Sequence, residues 1–373
     1  MTSSRFSMAS PTTKVVAHCA CGAFSYTINF LTSSLPIERS LCLCNSCRKI
    51  SGSCGLSYIA LPADQSFDPN TWNLKTYKTS EKLARHFCRA CGAHVAVHRP
   101  SVGLLALATG LWDQTEGIIK WTGCKFVEDT IDGGISMWIK NIVERHGDKR
   151  KFNIWLGQDG SNPDAFYESF PEPMFSRSQG GEDGKLRASC HCGGVMFYIT
   201  RPNEASREVQ SPFPDLMIAY HTGMSAANPK NDTWWLRSND TKYLAGLCTC
   251  ETCRRASGFE IQPWAFIPKC NIFQEDGKIL DYGMGSLQRY MSSEGTYREF
   301  CKTCGATCFW HNEVRPDLVD VSIGLLDSQE GARVERWLDW WTGRVSFKEM
   351  AVSQNLANSL EDGLKTFGSE TSL

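Results

Sequence analysis

The feature that most constrains the fold of this chain is a cysteine pattern that occurs twice. In each half the order is C-x-C, then C-x-C-x-x-C, then C-x-x-C-G, and the two copies use fourteen of the 18 cysteines. The first copy comprises Cys19, Cys21, Cys42, Cys44, Cys47, Cys88 and Cys91, and the second comprises Cys190, Cys192, Cys248, Cys250, Cys253, Cys301 and Cys304. In a chain of 373 residues without an evident signal peptide, such short spacings are typical of metal ligands rather than disulfides.

The residues around these cysteines repeat as well, which predicts a duplicated domain. For example, Tyr77 and Tyr290 each lie eleven residues before a C-x-x-C pair. The matching segments are CACGAFSYTI (19–28) with CHCGGVMFYI (190–199), CLCNSCRKISG (42–52) with CTCETCRRASG (248–258), and FCRACGAHVAVH (87–98) with FCKTCGATCFWH (300–311).

The length of the chain also favours two domains over one. The predicted parts are a disordered N-terminus at 1–14, a first domain at 15–160, a linker at 161–186, a second domain at 187–350 and a C-terminal tail or helix at 351–373. An insertion in the second domain, at about 201–240, reads as a long loop. Such loops can be functional or merely decorative, and Trp234 and Trp235 could line or cover a site.

The local pattern predicts a mainly β fold. After the first C-x-C of the first copy, apolar residues alternate with period two at Phe24, Tyr26 and Ile28, which is typical of a strand. Short apolar runs such as SYIALP and WAFIP behave likewise, whereas CRKISG and CRRASG resemble single helical turns. We therefore expect antiparallel sheets of short strands, with short helical turns beside the metal ligands.

The charge balance argues against several classes of partner. Lys and Arg together number 39, and Asp and Glu together number 40, so there is no bulk attraction to nucleic acid or to an anionic membrane. The longest apolar stretch, near 102–112, is shorter than the ~20 residues of a membrane-spanning helix. The N-terminal sequence is polar, and its basic residues Arg5 and Lys14 are few for a mitochondrial leader, so we expect a cytoplasmic protein.

The cysteines predict two kinds of zinc site in each domain. Structural zinc takes four ligands, commonly as two closely spaced pairs, and the outer cysteines supply such pairs. The outer sets are Cys19, Cys21, Cys88 and Cys91 in the first domain and Cys190, Cys192, Cys301 and Cys304 in the second. The inner triplets supply only three ligands, and three protein ligands with an open position are typical of catalytic zinc. We expect two zinc ions per domain and up to four per chain.

Other side chains could close an inner site. Cys54 lies seven residues after Cys47, but its counterpart in the second copy is Glu260. His98 and His311 occupy equivalent positions, and imidazole suits zinc, although a histidine at a strand end is more often structural. A purely structural inner zinc is also compatible with the sequence.

On these motifs the chain resembles the glutathione-dependent formaldehyde-activating enzyme (GFA) family, which also includes centromere protein V. The resemblance rests on CACG, CLCNSCRKISG and FCRACG in the first half and on CHCG, CTCETCRRASG and FCKTCG in the second. The stretch at 126–139 is similar to fungal-type members. The resemblance implies two β-tent-like domains, structural zinc on the outer cysteines and catalytic zinc on the inner triplets. It also implies carbon–sulfur lyase chemistry on glutathione adducts such as S-hydroxymethylglutathione, with glutathione as co-substrate.

Two departures bear on the substrate. Many members have histidine between the first two inner cysteines, where this chain has Leu43 and Thr249, and many are single domains. Both triplets are complete, so ligand loss does not indicate whether one repeat or both are active. We expect the two repeats to pack together as an intramolecular pseudo-dimer.

The leading hypothesis is therefore a zinc-dependent lyase that binds the thiolate or carbonyl of a small molecule, such as a glutathione conjugate, at the open inner zinc. Arg48 and Arg254 follow the last inner cysteine of each copy and could bind a substrate carboxylate or form a salt bridge. Candidate proton carriers are Glu81, Glu294, Asp113 and Asp327. The alternative is a non-catalytic zinc-binding scaffold or protein-interaction module.

Overall fold

The structure is a computed structural model that describes residues 10–144, 147–158, 184–218 and 227–371. Within these ranges it contains 24 β-strands and three α-helices, which confirms the mainly β prediction. Most of the predicted linker at 161–186 and part of the predicted insertion lie outside the described residues. The first strand begins at Thr12, inside the segment predicted to be disordered, because it pairs in full with the strand that follows.

The first repeat is built around a five-stranded antiparallel sheet of order β4-β8-β7-β6-β5. Its strands are β1 (Thr12–His18), β2 (Ser25–Leu31), β3 (Ile37–Cys42), β4 (Tyr58–Ala60), β5 (Leu74–Ser80), β6 (Leu83–Cys88), β7 (His94–Arg99), β8 (Leu104–Ala108), β9 (Ile119–Lys125), β10 (Asn141–Val143), β11 (Lys149–Lys151) and β12 (Asn153–Ile154). Strands β1 and β2 pair with each other, as do β10 and β11. The small sheet β12-β9-β3 is parallel, which the sequence pattern did not predict.

The second repeat has the same strand order in its main sheet, β17-β22-β21-β20-β19, extended beyond β17 by β16 and β15. Its strands are β13 (Lys185–Ser189), β14 (Met196–Thr200), β15 (Leu236–Arg237), β16 (Lys242–Cys248), β17 (Gln262–Pro268), β18 (Ile272–Gln274), β19 (Leu287–Ser293), β20 (Thr296–Cys301), β21 (Thr307–Asn312), β22 (Leu318–Ser322), β23 (Leu326–Asp327) and β24 (Leu338–Trp340). Strand β24 runs parallel to β16, as β9 runs parallel to β3.

Each repeat contains one short helix, α1 (Asn45–Ser51) or α2 (Glu251–Ser257), immediately after its inner cysteines. A cysteine caps each N-terminus: the Cys44 Sγ accepts a hydrogen bond from the Cys47 N–H at 3.4 Å, and Cys250 does the same for Cys253 at 3.3 Å. A glycine in the left-handed conformation ends each helix, as is common because glycine adopts positive φ at little cost.

Contacts join the two repeats at equivalent positions. The Gly110 N–H donates to the Gly258 carbonyl at 3.2 Å, and the Gly324 N–H donates to the Gly52 carbonyl at 3.1 Å. Buried apolar side chains of both repeats belong to one continuous core. The repeats are therefore packed against each other through backbone as well as side-chain contacts.

The C-terminal helix α3 (Gln354–Thr371) follows the second repeat in sequence but packs on the first. It lies against β10 and against the 3-10 turn Gly134–Trp138. Its buried face carries Leu356, Leu360 and Leu364. Gly363 lies so close to the Trp138 backbone that a Cβ atom would overlap it.

Among the described residues, no helix is both long enough and apolar enough to span a membrane.

Candidate metal centres and their surroundings

The outer cysteines of each repeat come together although they are far apart in sequence. In the first repeat Cys19 and Cys21 follow β1, Cys88 ends β6 and Cys91 lies in the next turn. The Cys21 Sγ lies 3.5 Å from the Cys19 Sγ and 3.6 Å from the Cys88 Sγ. The second repeat repeats this arrangement, with all four ligand atoms within 4.8 Å of one another.

The inner cysteines form a compact triplet in each repeat. Cys42 ends β3, Cys44 caps α1 and Cys47 lies in the first turn of α1. Their ligand atoms, like those of Cys248, Cys250 and Cys253 in the second repeat, lie within 4.8 Å of one another. The short helix therefore fixes the geometry, because the cap and the first turn both direct sulfur toward the end of the preceding strand.

All four clusters fit a zinc ion. Tetrahedral Zn–S bonds of about 2.3 Å place the sulfurs about 3.8 Å apart, close to the measured separations of 3.5 Å for Cys42 with Cys44 and for Cys190 with Cys192. A disulfide would bring the sulfurs to about 2.05 Å, and all 18 cysteines are free. Sets made only of thiolates favour zinc or another soft ion.

The inner and outer clusters differ in ligand number. Each outer cluster offers four cysteines and each inner cluster three, and among the described residues no fourth His, Cys, Asp or Glu joins either triplet. Cys54, His98 and His311 are all outside these clusters, so the structure places none of the three alternative ligands at an inner site. His311 instead contacts the buried Glu299 at 3.0 Å.

A buried arginine contacts each inner triplet. The Arg85 Nη2 donates to the Cys47 Sγ at 3.4 Å, and the Arg298 Nη2 donates to the Cys253 Sγ at 3.3 Å. Both arginines are more than nine-tenths buried. Hydrogen bonds from the other two inner cysteines, and then the arginine charge, hold the pKa of Cys47 and that of Cys253 well below the usual range.

The two arginines differ in their second contact. In the first repeat the Arg85 Nη1 donates to the Tyr58 hydroxyl at 2.8 Å. In the second repeat Trp264 occupies the position of Tyr58, eleven residues after the last inner cysteine. A tryptophan has no hydroxyl to accept this bond, and the Arg298 Nη1 and Nε have no hydrogen-bond partner in the part of the chain that the structure describes.

The second inner site also has an apolar and an acidic neighbour. Trp264 packs with Cys248 and Cys253 in a small buried cluster that Trp310 and Phe347 adjoin. Asp320 lies on the same face of the sheet as Trp310, its cross-strand partner, and pairs with the buried Arg315 at 2.6 Å. Burial raises the pKa of Asp320 to about 6, Arg315 opposes the shift, and the Cys253 charge adds to it.

The first inner site has a different neighbour, which comes from the second repeat. The Tyr77 hydroxyl and the His191 Nδ1 are 2.9 Å apart, and the charges of Arg85 and Cys47 act on the imidazole. Burial lowers the pKa of His191. At the equivalent contact in the other direction, the Tyr290 hydroxyl donates to the Ala20 carbonyl at 3.2 Å.

Arg48 and Arg254, which the sequence analysis singled out, are both buried and bond other groups of the protein. Arg254 is buried and donates to the Gly110 and Trp112 carbonyls at 2.8 and 2.7 Å, which ties α2 to the first repeat. Arg48 is also buried, donates to Asn45, and lines a small enclosed cavity at the contact between the repeats. Arg254 therefore contributes to the contact between the repeats, whereas the bond of Arg48 stays within α1; substrate binding by either arginine stays a prediction.

The predicted proton carriers lie at the surface. Glu81, Glu294, Asp113 and Asp327 are all exposed. Asp113 accepts a hydrogen bond from the Val16 N–H at 3.1 Å, and Asp327 pairs with Lys49 at 2.5 Å. The two aspartates therefore contact other elements of the fold, Asp113 strand β1 and Asp327 helix α1.

Sequence reasoning missed Arg85, Arg298 and Asp320. The two arginines were detectable, since each lies three residues before the first cysteine of a C-x-x-C pair in a duplicated context, ARHFC and YREFC. Asp320 had no such signal, because the equivalent residue of the first repeat is Ala106. Its position follows only from the strand register.

Among the described residues, two four-cysteine and two three-cysteine clusters that could hold metal ions lie on a mainly β frame, which is typical of a cysteine-rich metal-binding protein. The sequence model of the family described as glutathione-dependent formaldehyde-activating enzyme matches residues 14–127 and 236–344, more than half of the chain. The chain therefore belongs to the GFA family, as a tandem of two GFA regions.

The remaining comparisons add little. A solved structure of a Rhodobacter sphaeroides protein is 16% identical, covers 41% of this chain and 98% of its own, and has a TM-score of 0.22. A likeness this weak carries no argument. No curated protein matches the chain.

Proposed function

We propose that the protein is a zinc-dependent carbon–sulfur lyase-type enzyme that acts on a glutathione adduct resembling S-hydroxymethylglutathione. The observation that carries the proposal is the difference between the clusters, four cysteines in each outer one and three in each inner one among the described residues. Membership of the GFA family supports the glutathione-related substrate class. In this proposal the outer cysteines hold structural zinc and the inner triplets hold catalytic zinc, up to four ions per chain.

A zinc ion held by the inner cysteines would supply a Lewis acid that keeps a thiol ionised or polarises a carbonyl. The buried arginine at each triplet offsets the negative charge of three thiolates, since its Nη2 contacts the last of them. Asp320 is a candidate proton carrier of the second site, because burial places its pKa near neutrality. The equivalent contacts on the two sides of the repeat interface support an intramolecular pseudo-dimer.

The proposal is tested by removing inner and outer ligands separately. Cys44→Ser combined with Cys250→Ser should leave two tightly held zinc ions and the thermal unfolding midpoint close to that of the wild type. The same double variant should slow the enzyme-catalysed condensation of formaldehyde with glutathione, followed by NMR, on the order of 100-fold or more.

The matched control removes one outer ligand in each repeat, Cys91→Ser with Cys304→Ser. Because these cysteines are buried and complete the four-ligand sets, their loss should lower the unfolding midpoint itself. Unchanged catalysis in the inner double variant would contradict the enzyme proposal. Full zinc content in a wild type that responds to neither glutathione nor its adduct would favour the scaffold alternative.

A further inference from the structure

We infer that the second repeat's inner site alone is built to bind a thiol that carries an oxyanion close to its sulfur, with Arg298 as the recognising residue. This rests on the proposed function, since it assumes that the inner metal accepts a substrate thiolate. It goes further by assigning the site, the ligand class and the residue that sets specificity.

Arg298 has hydrogen-bond donors that the described residues leave unused. Its side chain is 3% exposed, its Nη2 contacts Cys253, and its Nη1 and Nε have no hydrogen-bond partner among the described residues. The Arg85 Nε is likewise unpaired there, so the two arginines differ at Nη1. Leaving buried N–H groups unpaired is costly, and charged donors pair most strongly with anionic oxygen. A ligand oxyanion at this position would satisfy a donor that the protein itself leaves unsatisfied.

The unused Nη1 donor of Arg298 lies close to the inner cysteines. Nη1 and Nη2 are bonded to the same carbon, and Nη2 lies 3.3 Å from the Cys253 Sγ. An oxygen that accepts from Nη1 would therefore lie beside the Cys253 Sγ, one of the three atoms that would hold the metal. That arrangement suits an oxygen about three bonds from the sulfur, as in a mercaptocarboxylate such as mercaptoacetate, rather than a distant carboxylate.

The first repeat has no such unused Nη1 donor among the described residues. There the equivalent donor, the Arg85 Nη1, already bonds the Tyr58 hydroxyl at 2.8 Å. Trp264 replaces this tyrosine in the second repeat and packs against Cys248 and Cys253. Asp320 pairs with Arg315 at 2.6 Å and does not bond the Arg298 Nη1. The asymmetry thus lies in one aromatic residue and one free donor.

The test uses mercaptoacetate and its methyl ester, which share a thiol and differ in the negative charge. Two cobalt-substituted full-length proteins isolate the sites: Cys44→Ser leaves only the second triplet complete, and Cys250→Ser leaves only the first. Thiol binding is read from the change in the thiolate-to-cobalt absorption. The Cys44→Ser protein should bind mercaptoacetate at least ~10-fold more tightly than the ester, and the Cys250→Ser protein should show little preference.

Two further variants assign the preference to the arginine. Adding Arg298→Met to Cys44→Ser should abolish the preference, so that mercaptoacetate and its ester bind with equal affinity. If that protein folds poorly, Arg298→Lys keeps the charge and should weaken the preference. Adding Tyr58→Phe to Cys250→Ser frees the Arg85 donor and should create a preference at the first site.

The outcomes separate this inference from the proposed function. The inference is wrong, and the open-metal proposal stands, if the preference for mercaptoacetate over its ester is the same at both sites. The same holds if the Arg298 variants keep the preference of the Cys44→Ser protein. If neither thiol changes the spectrum at either site, both are wrong.

Discussion

Glu260 is a buried carboxyl group whose surroundings do little to stabilise its charge. It is 3% exposed, and neither of its oxygens makes a well-aligned hydrogen bond with a described residue. Burial raises its pKa from an ordinary value of 4.5 to about 7, and neighbouring Thr109 and Arg254 oppose the shift only in part. The folded protein therefore holds this proton more tightly than the unfolded chain does.

The sign of the pH dependence follows from that difference. The contribution of protonated Glu260 to stability is complete below pH 4.5 and is lost as the pH rises through about 7. Glu260→Gln has no charge to bury, so it should be more stable than the wild type at pH 8 by up to about 3 kcal/mol. Between pH 6 and pH 8 the advantage should grow by about 1 kcal/mol.

Denaturant titrations at both pH values measure this effect. Glu208→Gln, which removes an exposed carboxylate, is the control and should show no such growth. A Glu260→Gln protein that is less stable than the wild type at pH 8 would show that the ionised carboxylate is stabilised by a contact in solution.

At the scale of elements, each short helix carries inner cysteines and also contacts the other repeat. Helix α2 ends at Gly258, whose φ is +77° and whose position would bring a Cβ atom to 2.5 Å from the His94 carbonyl oxygen. Because His94 lies in β7 of the first repeat, the helix that carries Cys250 and Cys253 also forms part of the interface. The geometry of the inner cysteines and the packing of the repeats are thus coupled through one turn.

Gly258→Ala should therefore destabilise the protein more than an ordinary left-handed glycine substitution does. Gly103→Ala is the matched control, since Gly103 also has a positive φ of +63° but nothing within 4 Å. The control should lose about 1 kcal/mol from backbone strain alone, whereas Gly258→Ala should lose about 2–4 kcal/mol because it adds a clash with backbone. Thermal unfolding midpoints compare the two, and equal losses would mean that the interface can relax.

At the scale of the whole molecule, the C-terminal helix links the end of the chain to the first repeat. Trp138, fully buried, contacts the Phe367 ring at a centroid distance of 5.9 Å. The Ser359 hydroxyl accepts from the Val143 N–H at 3.1 Å, and the Trp121 indole donates to the Ser353 hydroxyl at 3.1 Å. The helix therefore covers an apolar surface of the first repeat that would otherwise be exposed to solvent.

Leu360→Ala should destabilise the protein by about 2–5 kcal/mol, because it empties a fully buried position between α3 and the first repeat. Asp362→Ala, on the exposed side of the same helix, should change stability by less than about 0.5 kcal/mol. Denaturant titrations followed by the fluorescence of the chain's 12 tryptophans measure the stability of both variants. Equal effects of the two substitutions would show that the helix is not held on the first repeat in solution.

Part of this molecule was predictable because its signals are local. The mainly β class follows from period-two runs, and both kinds of cysteine cluster follow from spacing, since a turn of two or three residues directs neighbouring sulfurs to one point. The parallel pairing of β3 with β9 was not predictable in this way. Its partners are separated by the whole central sheet in sequence.

The sequence by itself determined the duplication, the cysteine sets and the family. The tertiary structure alone decided what surrounds each inner triplet: Tyr58 with Arg85 in one repeat, and a free donor on Arg298 beside Asp320 in the other. The reason is physical. Ligand spacing is a property of the local chain, whereas the neighbours of a site depend on strand register and on packing between repeats, which bring together residues with no fixed separation in sequence.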